Sequence, residues 1–201
     1  MNKIFLVLLA SAAIVSCSAK NQVPLEKLTF RENIKDFFST NDTYFDAREI
    51  NTTLPMIYTH EVDGYNYGSV NFIKSDPNHI PKAKIGVLLS NPTDEQFVGL
   101  LVTTESIEAS NAIFEELKTQ MGTPEILSQE PEANENDQVL GYSAYLWRQK
   151  SNHSAILYRS YEHMDDKRNI ASSLYLVSNK TKVTDPNQNE LVVDRLIRTY
   201  K

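Results

Sequence analysis

The chain is nearly free of thiols and short of glycine, and both shortages narrow what it can be. Cys17 is the single cysteine among 201 residues, so no internal disulfide can staple the fold and no thiolate cage can hold zinc. Six glycines supply no Gly-x-Gly-x-x-Gly and no phosphate loop, where backbone must approach phosphate closely. Gly-x-Ser-x-Gly, Ser-x-x-Lys and a cysteine with a partner histidine are absent as well. Basic residues are in deficit: 20 Lys and Arg against 26 Asp and Glu give a formal charge of −6. A nucleic-acid binder needs a basic patch that releases counterions from phosphates; none is found, so no nucleic-acid partner is expected.

The amino end is where the sequence is most specific. Lys3 provides a positive charge, residues 4–13 form an apolar core broken only by Ser11, and Ile14-Val15-Ser16-Cys17 follows. A core of about ten apolar residues is too short to span a bilayer, which takes roughly twenty, so the stretch reads as a secretory signal. The run Ile14-Val15-Ser16-Cys17 resembles the lipobox of bacterial lipoprotein precursors. That resemblance implies cleavage before Cys17 and acylation of its sulfur, which would become the first residue of the mature protein. It also implies attachment to the membrane through the lipid. For a Gram-negative cell Ser18, where an Asp would hold such a protein in the inner membrane, points to the outer one; for a Gram-positive cell the same signal implies the outer face of its only membrane. Losing Lys3 with the leader takes the formal charge from −6 to −7. Acidic headgroups repel such a domain, so the lipid alone anchors it, and two or more acyl chains make that attachment stable.

The organisation expected is a leader (1–16), a lipidated tether (17–24) and one globular domain (25–201), a comfortable size for a single core. Thr29 and Glu32 form a capping-box pattern ahead of Phe30, Ile34, Phe37 and Phe38, which predicts a helix over about 30–39. Residues 56–60 and 65–72 are rich in strand formers and flank Asp63-Gly64, a hairpin signal. Residues 85–89 and 97–102, the most apolar part of the mature chain, predict central strands. Ile107, Ser110, Ile113, Phe114, Leu117 and Met121 make one stripe of a helix over about 106–121, stopped by Gly122 and Pro124. Strands over 139–149, 154–161 and 172–179 and a last helix over roughly 188–200 complete the pattern. Runs of strands broken by isolated helices imply α+β: a mostly antiparallel sheet of about six or seven strands, one main helix on a face and terminal helices nearby.

Several stretches invite chemical readings that their residues do not complete. The histidines (60, 79, 153 and 163) form no His-x-x-x-His pair. His163 with Asp165 and Asp166 is better explained as a solvated turn than as a metal site. Asp185-Pro186-Asn187-Gln188-Asn189-Glu190 begins like a calcium loop, but Glu190 stands where glycine must turn the chain and Leu196 where a carboxylate must close the shell. Glu130, Glu132, Glu135 and Asp137 read as a solvated acidic loop, and Glu162 beside Asp165 establishes no carboxylate pair across a cleft. No catalytic, metal or cofactor-binding residue is therefore singled out, and no cofactor is implied.

Aromatic residues supply the remaining signal. Tyr142, Tyr145, Trp147, Tyr158, Tyr161 and Tyr175 fall on three neighbouring strands. Strand alternation places Tyr145 and Trp147 on one face and Tyr142 on the other. Tyr145 and Trp147, with Tyr65 and Tyr67 beside the expected hairpin, are candidate contact aromatics for a sugar or protein partner, against the plain alternative that Trp147 is core. Helix 106–121 with Gly122-Thr123-Pro124, Trp147 and Leu174-Tyr175-Leu176-Val177 resembles small bacterial lipoproteins in general and carries no site with it. The functional expectation is a lipid-anchored envelope protein that binds another envelope protein or a cell-wall component. The alternatives are an envelope enzyme whose site follows no motif, and an inhibitor or immunity lipoprotein against a toxin, which would present a strongly acidic face.

Overall fold

The computed structural model describes residues 22–38, 43–72, 83–94, 96–130, 141–148, 152–164, 167–184 and 189–201, with side chains at all of these except 162–164 and 167–169. The leader with Cys17 lies outside the described residues. So do the tether up to residue 21, His79, the acidic stretch after Glu130, Asp165, Asp166 and residues 185–188.

The chain is α+β. Eight antiparallel strands form the main sheet: β2 (Tyr44–Arg48), β3 (Pro55–Thr59), β6 (Lys84–Leu89), β7 (Phe97–Thr104), β8 (Glu125–Gln129), β9 (Tyr142–Arg148), β10 (His153–Met164) and β11 (Lys167–Ser178). Their order is β2-β3-β6-β7-β11-β10-β9-β8. A smaller sheet joins β1 (Val23–Pro24), β4 (Tyr65–Tyr67) and β5 (Val70–Asn71), with β1 parallel to β4. Helix α2 (Ile107–Met121) carries the chain from central β7 to the far edge at β8, and the strands then return one by one until β11 closes against β7. The helix starts where Ser106 accepts a hydrogen bond from the Ala109 N–H at 3.2 Å, satisfying an otherwise orphaned donor. It stops at Gly122, whose φ of 84° suits glycine.

Two apolar clusters lie on opposite faces of the sheet. In β11, Leu174 and Leu176 belong to the first, while Tyr175 and Val177 belong to the second, as a period of two requires. The first cluster is covered by α2, through Ile113 and Leu117, and by the small sheet. Each large apolar side chain fully buried there contributes about 1.5–3 kcal/mol. The second cluster is covered by α3 (Val192–Tyr200), through Val192, Val193 and Leu196. Strands β6 and β7 contribute buried residues to both clusters, which explains their near-continuous hydrophobicity.

Three local expectations give way to tertiary packing. The helix over 30–39 shrinks to one turn, α1 (Ile34–Phe37), because Phe30 sits at φ 59° and packs edge-on against Phe97 at 5.9 Å. Asp63-Gly64 turns in a 3-10 helix instead of a hairpin; β3 pairs with β2 and β6, and β4 pairs with β5 around Gly68. The main sheet also gains two edges, β2 and β8, that the pattern did not announce.

Candidate functional site

Helix α3 covers part of its face. Among the described residues the sheet is open beyond that part, along a row set by register. Lys84 on β6 faces Thr103 on β7, Thr103 faces Ser173 on β11, and Ser173 faces Tyr158 on β10. At the usual strand spacing, Lys84 and Tyr158 stand about 14 Å apart. Two open concavities of about 350 Å³ and 400 Å³ flank this row and share Ser173 as a common boundary. Together they make one shallow trough across the sheet.

Its floor is small and its ends are aromatic. Thr103, Ala171 and Ser173 are half-buried and too short to fill the space above them. At one end the His60 ring meets Tyr58 edge-on at 5.4 Å, and Lys84 Nζ lies 5.4 Å above the Tyr58 ring centroid. His60 Nδ1 is 2.8 Å from the Ala83 carbonyl oxygen; a carbonyl can only accept, so Nδ1 carries the proton. At the other end Tyr158 stacks on Tyr200 at 4.6 Å, with Tyr142 at 6.1 Å on its flank.

A buried polar network fixes the Tyr200 wall. Tyr200 donates to the Tyr175 hydroxyl at 3.1 Å, and Tyr175 donates to Glu49 Oε1 at 3.2 Å. Asn51 Nδ2 donates to the Tyr175 hydroxyl at 2.9 Å and to the Tyr200 hydroxyl at 3.1 Å. The Thr52 N–H donates to Glu49 Oε2 at 2.6 Å. Burial raises the Tyr200 phenol to about 12 and holds Tyr175 higher still, so both remain neutral donors at neutral pH.

The trough therefore offers hydroxyls, the ammonium groups of Lys84 and Lys201, an imidazole and ring edges. Glu105 is the one carboxylate among its described lining residues, so it holds no carboxylate pair for acid–base work. Among the described residues no group of three or more His, Asp or Glu side chains converges on a metal position. Such an inventory can offer a ligand hydrogen bonds and ring contacts.

The aromatics singled out in the sequence lie elsewhere. Tyr65, Tyr67 and Trp147 are 2%, 0% and 2% exposed in the cluster beneath α2. They cannot act as surface contacts, because α2 and the small sheet cover that face. The Trp147 indole N–H instead donates to the Gly122 carbonyl at 2.8 Å and ties the end of α2 to β9. Tyr145 is half-buried, 4.8 Å from Phe114 of the same helix. Alternation had correctly separated these rings from Tyr142; it could not say which face a helix would cover. Sequence reasoning missed Tyr58, Lys84, Thr103 and Ser173 as a group. The available signal was hydroxyl residues at matching register inside otherwise apolar strands. His153 packs edge-on against Phe30 at 5.2 Å, away from the trough. Compared with protein-family models, curated proteins and solved structures, the chain matches none.

Proposed function

We propose that this chain is a lipid-anchored cell-envelope protein that acts by binding, and that the trough receives the glycan of the cell wall. The lipobox-like run ending at Cys17 supports the anchor and the compartment. The observation that carries the ligand class is the cross-sheet row of Thr103 and Ser173 between two ring-bearing ends. A sugar chain presents hydroxyls at short intervals and apolar ring faces between them, which matches a hydroxyl floor closed by aromatic walls. Lys84 and His60 at one end weigh against an acidic docking face of the kind an immunity protein would use.

The test is co-sedimentation of the full chain with purified wall sacculi. The wild type pellets with the wall material. Ser173→Trp, which fills the floor from the exposed side, weakens binding at least tenfold, whereas Tyr145→Ala, on the opposite face, leaves it unchanged. A wild type that stays in the supernatant, or a Ser173→Trp variant that binds equally well, overturns the ligand assignment. Cys17→Ala examines the anchor separately: it abolishes fatty-acid labelling, and continued labelling removes the compartment.

A further inference from the structure

The eight-stranded sheet ends at two edges, and they are built differently. Strand β8 is blunted by a register shift between Ile126 and Ser128, and its Glu125 lies 3.9 Å from the Arg148 guanidinium of its neighbour. Bulges of this kind discourage a further strand from adding. Strand β2 has neither device. Its five residues pair with β3 without a shift, it contains no proline or lysine, and all five are exposed. Of the large apolar side chains that the described residues expose, Tyr44 (60%), Phe45 (45%) and Ile50 (83%) lie on this strand or just beyond it. A groove of about 820 Å³ runs beside it, bounded by Asp46, Arg48, Pro55, Ile57, Leu89 and Pro92.

We infer that β2 pairs with β2 of a second copy of this chain, antiparallel and centred on Ala47. The sequence of the strand is self-complementary in that register. Ala47 faces Ala47, and Asp46 of each copy faces Arg48 of the other, so two opposite-charge pairs form at once. Centring on Asp46 instead would oppose two carboxylates, and centring on Phe45 would leave Arg48 without Asp46. Charge thus selects one register, and a two-fold axis through Ala47 is the closed symmetry that such an isologous contact requires. Side chains directly opposite in a pleated sheet point the same way. The two α2 helices therefore lie on one side of the joined sheet and both troughs open on the other. This pairing does not depend on what the trough binds.

A charge-swap series tests it on the full chain in detergent, by sedimentation over a range of concentrations. The wild type sediments as a dimer. Asp46→Arg, which sets arginine against arginine, raises the dissociation constant at least tenfold. The double variant Asp46→Arg with Arg48→Asp restores it to within about threefold of wild type, because each pair is regenerated with reversed sign. A wild type that stays monomeric, or a dimer indifferent to Asp46→Arg, overturns the proposal. Arg48 also donates to the Thr53 carbonyl at 3.0 Å, so its replacement could disturb the local fold. A second measurement avoids that residue: oxidation of Ala47→Cys in native membranes gives a disulfide-linked dimer, and Ile126→Cys on the other edge does not. Equal crosslinking at both positions, or none at Ala47→Cys, overturns the register.

Discussion

Replacing Glu49 by glutamine changes one atom and tests whether the polar network beneath Tyr200 is built around a carboxylate. Glu49 is 7% exposed and accepts from three donors: the Thr52 N–H at 2.6 Å, the Tyr175 hydroxyl at 3.2 Å and Asn51 Nδ2 at 3.3 Å. Hydrogen bonds to a charged group are worth about 1.5–3 kcal/mol each, against about 0.5–1.5 kcal/mol for neutral ones. A glutamine must also turn its amide nitrogen toward one of these donors. Facing Thr52, it meets a backbone N–H that cannot rotate away. Facing Tyr175, it can donate once that hydroxyl turns, but Asn51 Nδ2 is left pointing at another donor. Relief of the buried charge acts in the opposite direction, and that relief is real because, among the described residues, no cation is bonded to Glu49. The donor mismatch on either side outweighs it, for a net loss of about 2–4 kcal/mol. In a chain of this size each kcal/mol moves Tm by about 2–4 °C, so Glu49→Gln melts roughly 5–15 °C lower by circular dichroism. Paired with Tyr175→Phe in a double-mutant cycle, it shows coupling of at least about 1 kcal/mol, since the two residues share a bond. An unchanged or raised Tm would mean that desolvation dominates and that the network is not organised by charge.

Gly68→Ala lowers stability by more than about 1 kcal/mol, measured by urea denaturation, because the residue sits at φ 56° and a Cβ would lie 2.2 Å from the Glu116 carboxyl carbon; a neutral effect would mean that the turn relaxes freely. Trp147→Phe keeps most of the buried area but loses the bond to the Gly122 carbonyl, which water can take over because Gly122 is exposed; the cost is about 0.5–1.5 kcal/mol, read from the denaturation midpoint. Burial lowers the His153 pKa below its ordinary value, so the unfolded chain binds the extra proton. His153 therefore adds stability that is fully present above the unfolded pKa of about 6.5 and is lost as pH falls through the lowered folded value. His153→Gln flattens the acid side of the stability profile below about pH 6.5, and an unaltered slope would assign that dependence to other groups.

Legibility in the sequence followed how local each cause was. Helix α2 could be read because its stripe and its Gly122 stop both lie within the segment. The central strands could be read because burial on both faces demands continuous hydrophobicity. The first helix was misread although half of its capping box forms: the Glu32 carboxylate accepts from the Thr29 N–H and hydroxyl at 2.9 and 3.0 Å and from the Arg31 N–H at 3.0 Å. Those bonds close a local turn, and the helix begins only after Asn33, whose side chain caps Lys35. Packing of Phe30 and Phe37 against Phe97 decided the backbone there, and none of that is local. Strand β2 was invisible because no alternation of burial marks it. The trough was invisible for a related reason. Thr103 and Ser173 are 70 positions apart in sequence and become neighbours only when β11 closes against β7.

That closure also explains why, among the described residues, part of one face of the sheet is left uncovered. A long helix must cover the span from β7 to β8, and α2 does so on the side of Trp147 and Leu157. Its apolar stripe needs every large residue that side can offer. Among the described residues the opposite side receives Val183 and α3, the helix's nine residues reaching about 13 Å at the helical rise, less than the width of the sheet. The uncovered strip cannot stay apolar without exposing a large greasy patch. Small hydroxyls and tyrosines resolve the conflict, since they tolerate both a packed sheet and water. The trough is thus what the described part of the sheet presents beyond the reach of α3. Extending α3 by two turns past Tyr200 with apolar residues would close the trough and raise stability, while wall binding would fall. If binding survived that extension, the ligand would have to dock elsewhere on the molecule.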